Sequence, residues 1–178
     1  RAPSLTELVE GWCEHQVDAV SDDERYMDPD LALQAHPAEI TPAALDRAFA
    51  MVQAALANRT AFDNWFAAHV SQPKYDEIDW RPEQPVTAGE VKVLLAQQAV
   101  LSRNPASRFA FTRQQDGSIQ LFADGQQFAC SAEATAIAEQ ICAEPHLQLP
   151  VALARSKPGV ALITALINQG SLAFEDEE

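Results

Sequence analysis

The chain is short of cations. Of its 178 residues only 12 are Lys or Arg against 26 Asp or Glu, a formal net charge of −14. A surface of that sign repels phosphate, which argues against duplex nucleic acid and anionic membrane as partners. Cysteine is also scarce. Cys13, Cys130 and Cys142 are far apart and include no C-x-x-C pair that could clamp zinc or run dithiol chemistry, and this usage predicts a reduced, cytoplasmic protein. The six glycines build no G-x-x-x-x-G-K phosphate cradle, no G-x-G-x-x-G and no G-x-S-x-G elbow. No apolar run approaches the ~20 residues of a spanning helix, and no basic-then-apolar leader is present. Of the four histidines, none begins a His-x-Asp or His-x-Glu pair; His36, His69 and His146 are followed two residues later by Ala38, Ser71 and Gln148. The two-histidine-one-carboxylate triad of non-heme iron sites therefore has no ligands here, and no residue is singled out as catalytic, cofactor-binding or metal-binding.

What is present is ample apolar material, 47% of residues, arranged with clear punctuation. Residues 4–20 place Leu5, Leu8, Val9, Trp12, Gln16, Val17 and Val20 at three- and four-residue steps, behind a Ser4/Glu7 capping box. Thr41-Pro42 predicts the start of a second helix running to about Ala57, with Leu45, Phe49, Val52 and Leu56 turned to a core. Thr60 is expected to open a third, crowded with Phe62, Trp65, Phe66, His69 and Val70 and closed by Ser71 and Pro73. Residues 72–85 contain three prolines and no sustained period; they read as an extended linker anchored by Tyr75, Ile78 and Trp80.

Beyond the linker the texture changes. A second capping box, Thr87/Glu90, starts a short helix with Val91, Leu94 and Leu95 buried. Strands at 108–113, 118–123 and 126–129 are separated by Asp116-Gly117 and Asp124-Gly125, strong hairpin signals. Ser131 restarts helix to about Ala143 with Ala134, Ile137, Ala138 and Ile141 inward. A last helix from about Gly159 to Gln169 turns Val160, Ile163, Leu166 and Ile167 inward, stops at Gly170 and leaves room for a strand over 171–175. The fold class is α+β: a helical dimerisation domain over 1–71, a linker over 72–85 and a winged-helix-like domain over 86–178. The helices of that last domain offer phosphate little; residues 131–144 carry Glu133, Glu139 and Glu144 without a cation, and 156–170 carry Lys157 alone. Arg103, Arg108, Arg113 and Arg155 read as scattered solvated side chains, and Cys130 as filler at a strand end.

The aromatic load of the first part is heavy for about 70 residues, because so short a chain covers only about 60% of its extended surface by itself. Trp12, Phe49, Phe62, Trp65 and Phe66 are therefore candidates for a homodimer interface, divided between each protomer's core and a shared surface.

Several stretches resemble one family in order and spacing. They are Arg25-Tyr26-Met27-Asp28-Pro29-Asp30-Leu31, His36-Pro37, Trp65-Phe66 before Gln72-Pro73-Lys74, Tyr75-Asp76-Glu77-Ile78-Asp79 leading to Pro82 and Pro85, and Leu166-Ile167-Asn168-Gln169-Gly170 before Phe174-Glu175. Together they resemble the C-terminal portion of bacterial ribosomal oxygenases, JmjC-type cupin proteins that hydroxylate an arginine of a large-subunit ribosomal protein. The resemblance implies a homodimerising helical region, a winged helix, and a parent enzyme that uses Fe(II) and 2-oxoglutarate in a cupin domain this chain lacks. That fits a chain beginning Arg1-Ala2-Pro3, which on this reading binds no cofactor and has no activity alone. Ser171-Leu172-Ala173 departs from the pair of aromatics the family tends to place there. The alternative from a different class is a free-standing acidic interaction module that binds a basic protein. Both readings exclude DNA and membrane as partners.

Overall fold

The computed structural model describes residues 2–20, 25–27, 29, 36–73 and 77–175. Asp28, Asp30 and Leu31 of the resembling stretch, Lys74, and the expected linker anchor Tyr75 lie outside the described residues. The chain divides into two compact units, residues 1–65 and 66–178, with the division inside one helix.

The first unit is helical. Its α1 (Leu5–Ala19) begins with the complete reciprocal capping box: the Glu7 amide donates to Ser4 Oγ and the Ser4 amide to the Glu7 carboxylate. In α2 (Pro42–Leu56), Thr41 Oγ1 accepts from the Ala44 amide and Pro42 occupies the first turn, where its missing N–H costs nothing. α3 (Arg59–Val70) starts one residue earlier than predicted. Asn58, not Thr60, supplies the cap, its Oδ1 accepting from the Ala61 amide at 3.0 Å.

The second unit holds the large core. α4 (Ala88–Ala96) is opened by its Thr87/Glu90 capping box and buries Val91 and Leu95. β2 (Phe109–Arg113), β3 (Ile119–Ala123) and β4 (Gln126–Cys130) form an antiparallel meander in the order β2-β3-β4, with Ala123 opposite both Phe109 and Gln126. Asp124 and Gly125 both take positive φ, 49° and 79°, as the tight turn between β3 and β4 demands. α5 (Ala132–Ala143) buries Ala134, Ile137, Ala138 and Ile141; α7 (Lys157–Gln169) buries Val160, Ile163, Leu166 and Ile167, as their spacing predicts.

Three elements were not anticipated. β1 (Leu101–Arg103) and β5 (His146–Leu147) join β6 (Leu172–Phe174) in a second antiparallel sheet, order β5-β1-β6, and α6 (Val151–Ala154) is a single turn. Each is too short to show a period, and β1 is paired only by residues more than forty positions away.

The two units differ in how the apolar pattern is used. In α2 nothing is buried; Leu45, Phe49 and Val52, expected to face a core, are 56%, 63% and 57% exposed. Leu5, Val9 and Val17 of α1 and its C-cap Val20 are likewise exposed. Their periodicity is amphipathic as read, but the surface that would cover them is not in this unit, whose only buried residues among those described are Trp12 and Gln16.

Candidate functional site

In the first unit the structure gathers three of the five predicted interface residues. Trp12 stacks edge-on to Phe62, ring centroids 5.2 Å apart at 83°, and lies 5.6 Å from Trp65; Phe62 and Trp65 are 5.5 Å apart. The Trp12 indole N–H donates to the Leu56 carbonyl at 3.2 Å, so its polar edge is satisfied. Phe49 stands apart from this cluster on the exposed stripe of α2, and Phe66 is half-buried on α3 within the second unit. On α2, Leu45, Phe49, Val52 and Leu56 lie at steps of four, three and four and so share one face. Tyr26 and Arg47 add hydrogen bonds along the helix, the hydroxyl to the Ala44 carbonyl and the guanidinium to the Met27 carbonyl. This face is the candidate interface of the first unit.

In the second unit the notable construction is the last turn of α7. Asn168 brackets Val86: Oδ1 accepts from the Val86 amide at 2.8 Å and Nδ2 donates to its carbonyl at 3.0 Å. Gln169 Nε2 donates to the Ala123 carbonyl at 2.7 Å. Gly170 sits at φ 88°, where a Cβ would also lie 2.5 Å from the Trp80 backbone. Its carbonyl accepts from Asn104 Nδ2 at 2.9 Å. Ser171, at the position where the resembling family tends to carry an aromatic, donates from Oγ to Asp124 Oδ2, which also accepts from Ser107 Oγ, while Oδ1 takes the Arg108 amide. Four successive residues, Asn168 to Ser171, thus fasten the segment entering α4, the end of β3 with its turn, and the residue after β1 to one point. Reading the sequence found these residues as a resemblance but not as a junction, because their partners are 46 to 82 positions away.

Beside this junction lies an open cavity of about 580 Å³, walled by Glu77 to Arg81, Asp124, Gln126 and the end of α7. Ile78 and Trp80 are each half-exposed there. Arg81 grips Asp79 with two guanidinium hydrogen bonds, Nε to Oδ1 at 2.9 Å and Nη2 to Oδ2 at 2.7 Å, and these with the Arg81 amide hold the Asp79 carboxyl down to about 2.

Two of the described thiols are held protonated. Burial pushes the Cys142 thiol up to about 11 and raises that of Cys130, the opposite of an activated nucleophile. Arg113 pairs with Glu139 at 2.6 Å and lies over Phe111, while Arg103 lies over Phe109 and donates to the Cys142 carbonyl; each is used separately and they form no basic patch. Among the described residues no group of three His, Cys, Asp or Glu could hold a metal ion, so these residues do not fit Fe(II). No described helix is long and apolar enough to cross a membrane.

A helix, a three-stranded antiparallel meander and the packed α5 and α7 define a winged-helix type of α+β unit. Residues 54–173 match the ROXA-like winged helix, and the chain belongs to that family. It is 30% identical over 103 residues to the ribosomal protein uL16 3-hydroxylase of Escherichia coli, a match covering 58% of this chain and 28% of that protein. Among solved structures, the E. coli ribosomal oxygenase YcfD with cobalt and succinic acid is 27% identical with a TM-score of 0.78, covering 99% of this chain and 48% of that one. A second structure of the same oxygenase gives 26%, 0.79, 98% and 47%. The chain thus spans about half the length of the solved relatives it matches.

Proposed function

We propose that this chain is the dimerisation and winged-helix portion of an Fe(II)/2-oxoglutarate-dependent ribosomal protein arginine hydroxylase. The reading is supported most by the likeness of nearly the whole chain to ribosomal oxygenases, one of them solved with cobalt and 2-oxoglutarate. In this reading the helices of 1–71 join two protomers through the apolar faces of α1 and α2. The unit after the linker helps to place a basic ribosomal protein, drawn by the −14 charge through an attraction that weakens with salt. The iron and its co-substrate belong to a cupin domain outside these residues, so this chain alone is inactive. The complex works in the cytoplasm and binds no DNA, since α5 brings Glu133 and Glu139 where a duplex needs cations and α7 offers Lys157 alone.

The charge by itself favours a second reading, a free-standing acidic module that binds a basic protein. Coding sequence immediately upstream of Arg1 separates the two: a His-x-Asp on a β-rich segment supports the hydroxylase. The biochemical test mixes the parent protein, or this chain alone, with Fe(II), 2-oxoglutarate and the ribosomal protein. Mass spectrometry is expected to find a gain of one oxygen on arginine with the parent only; oxygen gained with this chain alone overturns the assignment of the chemistry to missing residues.

A further inference from the structure

The cavity beside the α7 junction is not consumed by the fold. Its wall carries three carboxylates, Glu77, Asp79 and Asp124, against one guanidinium, Arg81, so it is net negative within an already acidic chain. Asp124 is spent on three internal donors and Asp79 on Arg81, which leaves Glu77, exposed, as the carboxylate open to a visitor. Trp80 lines the same wall, half in solvent although its backbone lies against Gly170. An aromatic side chain and a carboxylate lining one cavity are the chemistry that holds a planar cation, the ring quadrupole attracting the charge and the carboxylate taking its N–H groups. The Asp79–Arg81 pair shows that this rim already accommodates a guanidinium against a carboxylate. The cavity is wide open, which suits a side chain presented by a protein better than an enclosed metabolite.

We propose that this cavity is a docking site for an arginine side chain of a basic protein segment, its guanidinium stacked on Trp80 and bonded to Glu77. This names how the acidic unit holds the basic partner of the proposed function and rests on that reading only for the partner's identity.

The test uses the whole 178-residue chain and, as probe, Nα-acetyl-arginine methylamide, followed by the indole N–H and backbone amide signals in ¹H–¹⁵N spectra. A saturable shift is expected at the Trp80 indole and the Gly170 amide, with the Trp12 and Trp65 indoles still and no response to the uncharged citrulline analogue. Glu77→Gln should weaken the probe about threefold or more, and Trp80→Leu, which keeps an apolar side chain, should weaken it as much. Spectra otherwise unchanged in Glu77→Gln, an exposed position, show that the fold is intact. No saturation, an equal response to citrulline, an equally tight lysine probe, or unchanged affinity in Glu77→Gln each overturns the site. Because the probe is a single amino acid, any of these failures leaves the hydroxylase reading to its own assay.

Discussion

The two units spend similar apolar patterns in opposite ways. In α7, Val160, Ile163, Leu166 and Ile167 vanish into a core shared with α4, α5 and the strands. In α2, Leu45, Phe49 and Val52 repeat at comparable spacing and remain in solvent. A period of three and four states that one face of a helix is apolar; it does not state whose surface will cover it. A closed twofold contact is the commonest way for a chain to cover such a face with a copy of itself.

The largest effect is expected in the second unit's core. Ile163→Ala, at a position with no exposure, should cost about 2–5 kcal/mol in urea unfolding followed by tryptophan-independent circular dichroism. A loss below about 1 kcal/mol would mean that this core is looser than its burial indicates. Gly159→Ala should cost about 1–3 kcal/mol, because the new methyl would meet Ile137 Cδ1 at 2.1 Å and the core must shift around it.

In the first unit the same kind of change should leave the protomer's own fold nearly untouched. Phe49→Ser and Leu45→Ser together should alter its unfolding by only about 0.5 kcal/mol while converting a dimer, read by light scattering across a concentration series, into a monomer. The dimer of the unmutated chain should persist at high salt, since an apolar contact is not screened. A monomer in the parent chain at every concentration would remove the proposed interface.

Thiol chemistry sharpens the contrast further. Iodoacetamide at mildly alkaline pH should modify the partly exposed Cys13 before Cys142, whose thiol burial holds up near 11, and before the buried Cys130. Peptide mapping reads the order directly. The same shift has a stability sign: the folded Cys142 keeps its proton longer than the unfolded one, so its contribution is whole below pH 9 and declines as pH rises towards 11.

The smallest effect is at the acid end. Asp79, held near 2 by Arg81, and Glu90, lowered by the Thr87 amide and hydroxyl, are deprotonated more readily folded than unfolded. Their contribution is therefore present above about pH 4.5 and is lost as pH falls through the folded values. Both are fully exposed, so thermal midpoints between pH 5 and 2 should separate Asp79→Asn from its parent only slightly.

What was legible in the sequence was what is local. Ser4/Glu7 and Thr87/Glu90 cap their own helices, Thr41-Pro42 starts α2, and Asp124-Gly125 turns its own hairpin; all need only four neighbouring residues. The inward faces of α5 and α7 were legible because their cover lies in the same unit. Leu101-Ser102-Arg103 gives no alternation, and its strand exists because residues 146–147 and 172–174 come to it. The junction at Asn168 to Ser171 was invisible for the same reason, and so was the cavity beside it.

That junction also fixes an order of events in time. Strand β1 lies between β5 and β6, and its second partner is supplied by residues 172–174, while Val86 waits for Asn168. On a chain emerging from its N-terminus, α4 and the meander are made from near neighbours and can form early, but the clasp that ties them together is synthesised last. The winged unit cannot be completed until Ser171 and the strand after it are free, so a chain stopped at Gln169 would keep the Asn168–Val86 bonds but leave β1 with a single partner and Asp124 without the Ser171 hydroxyl.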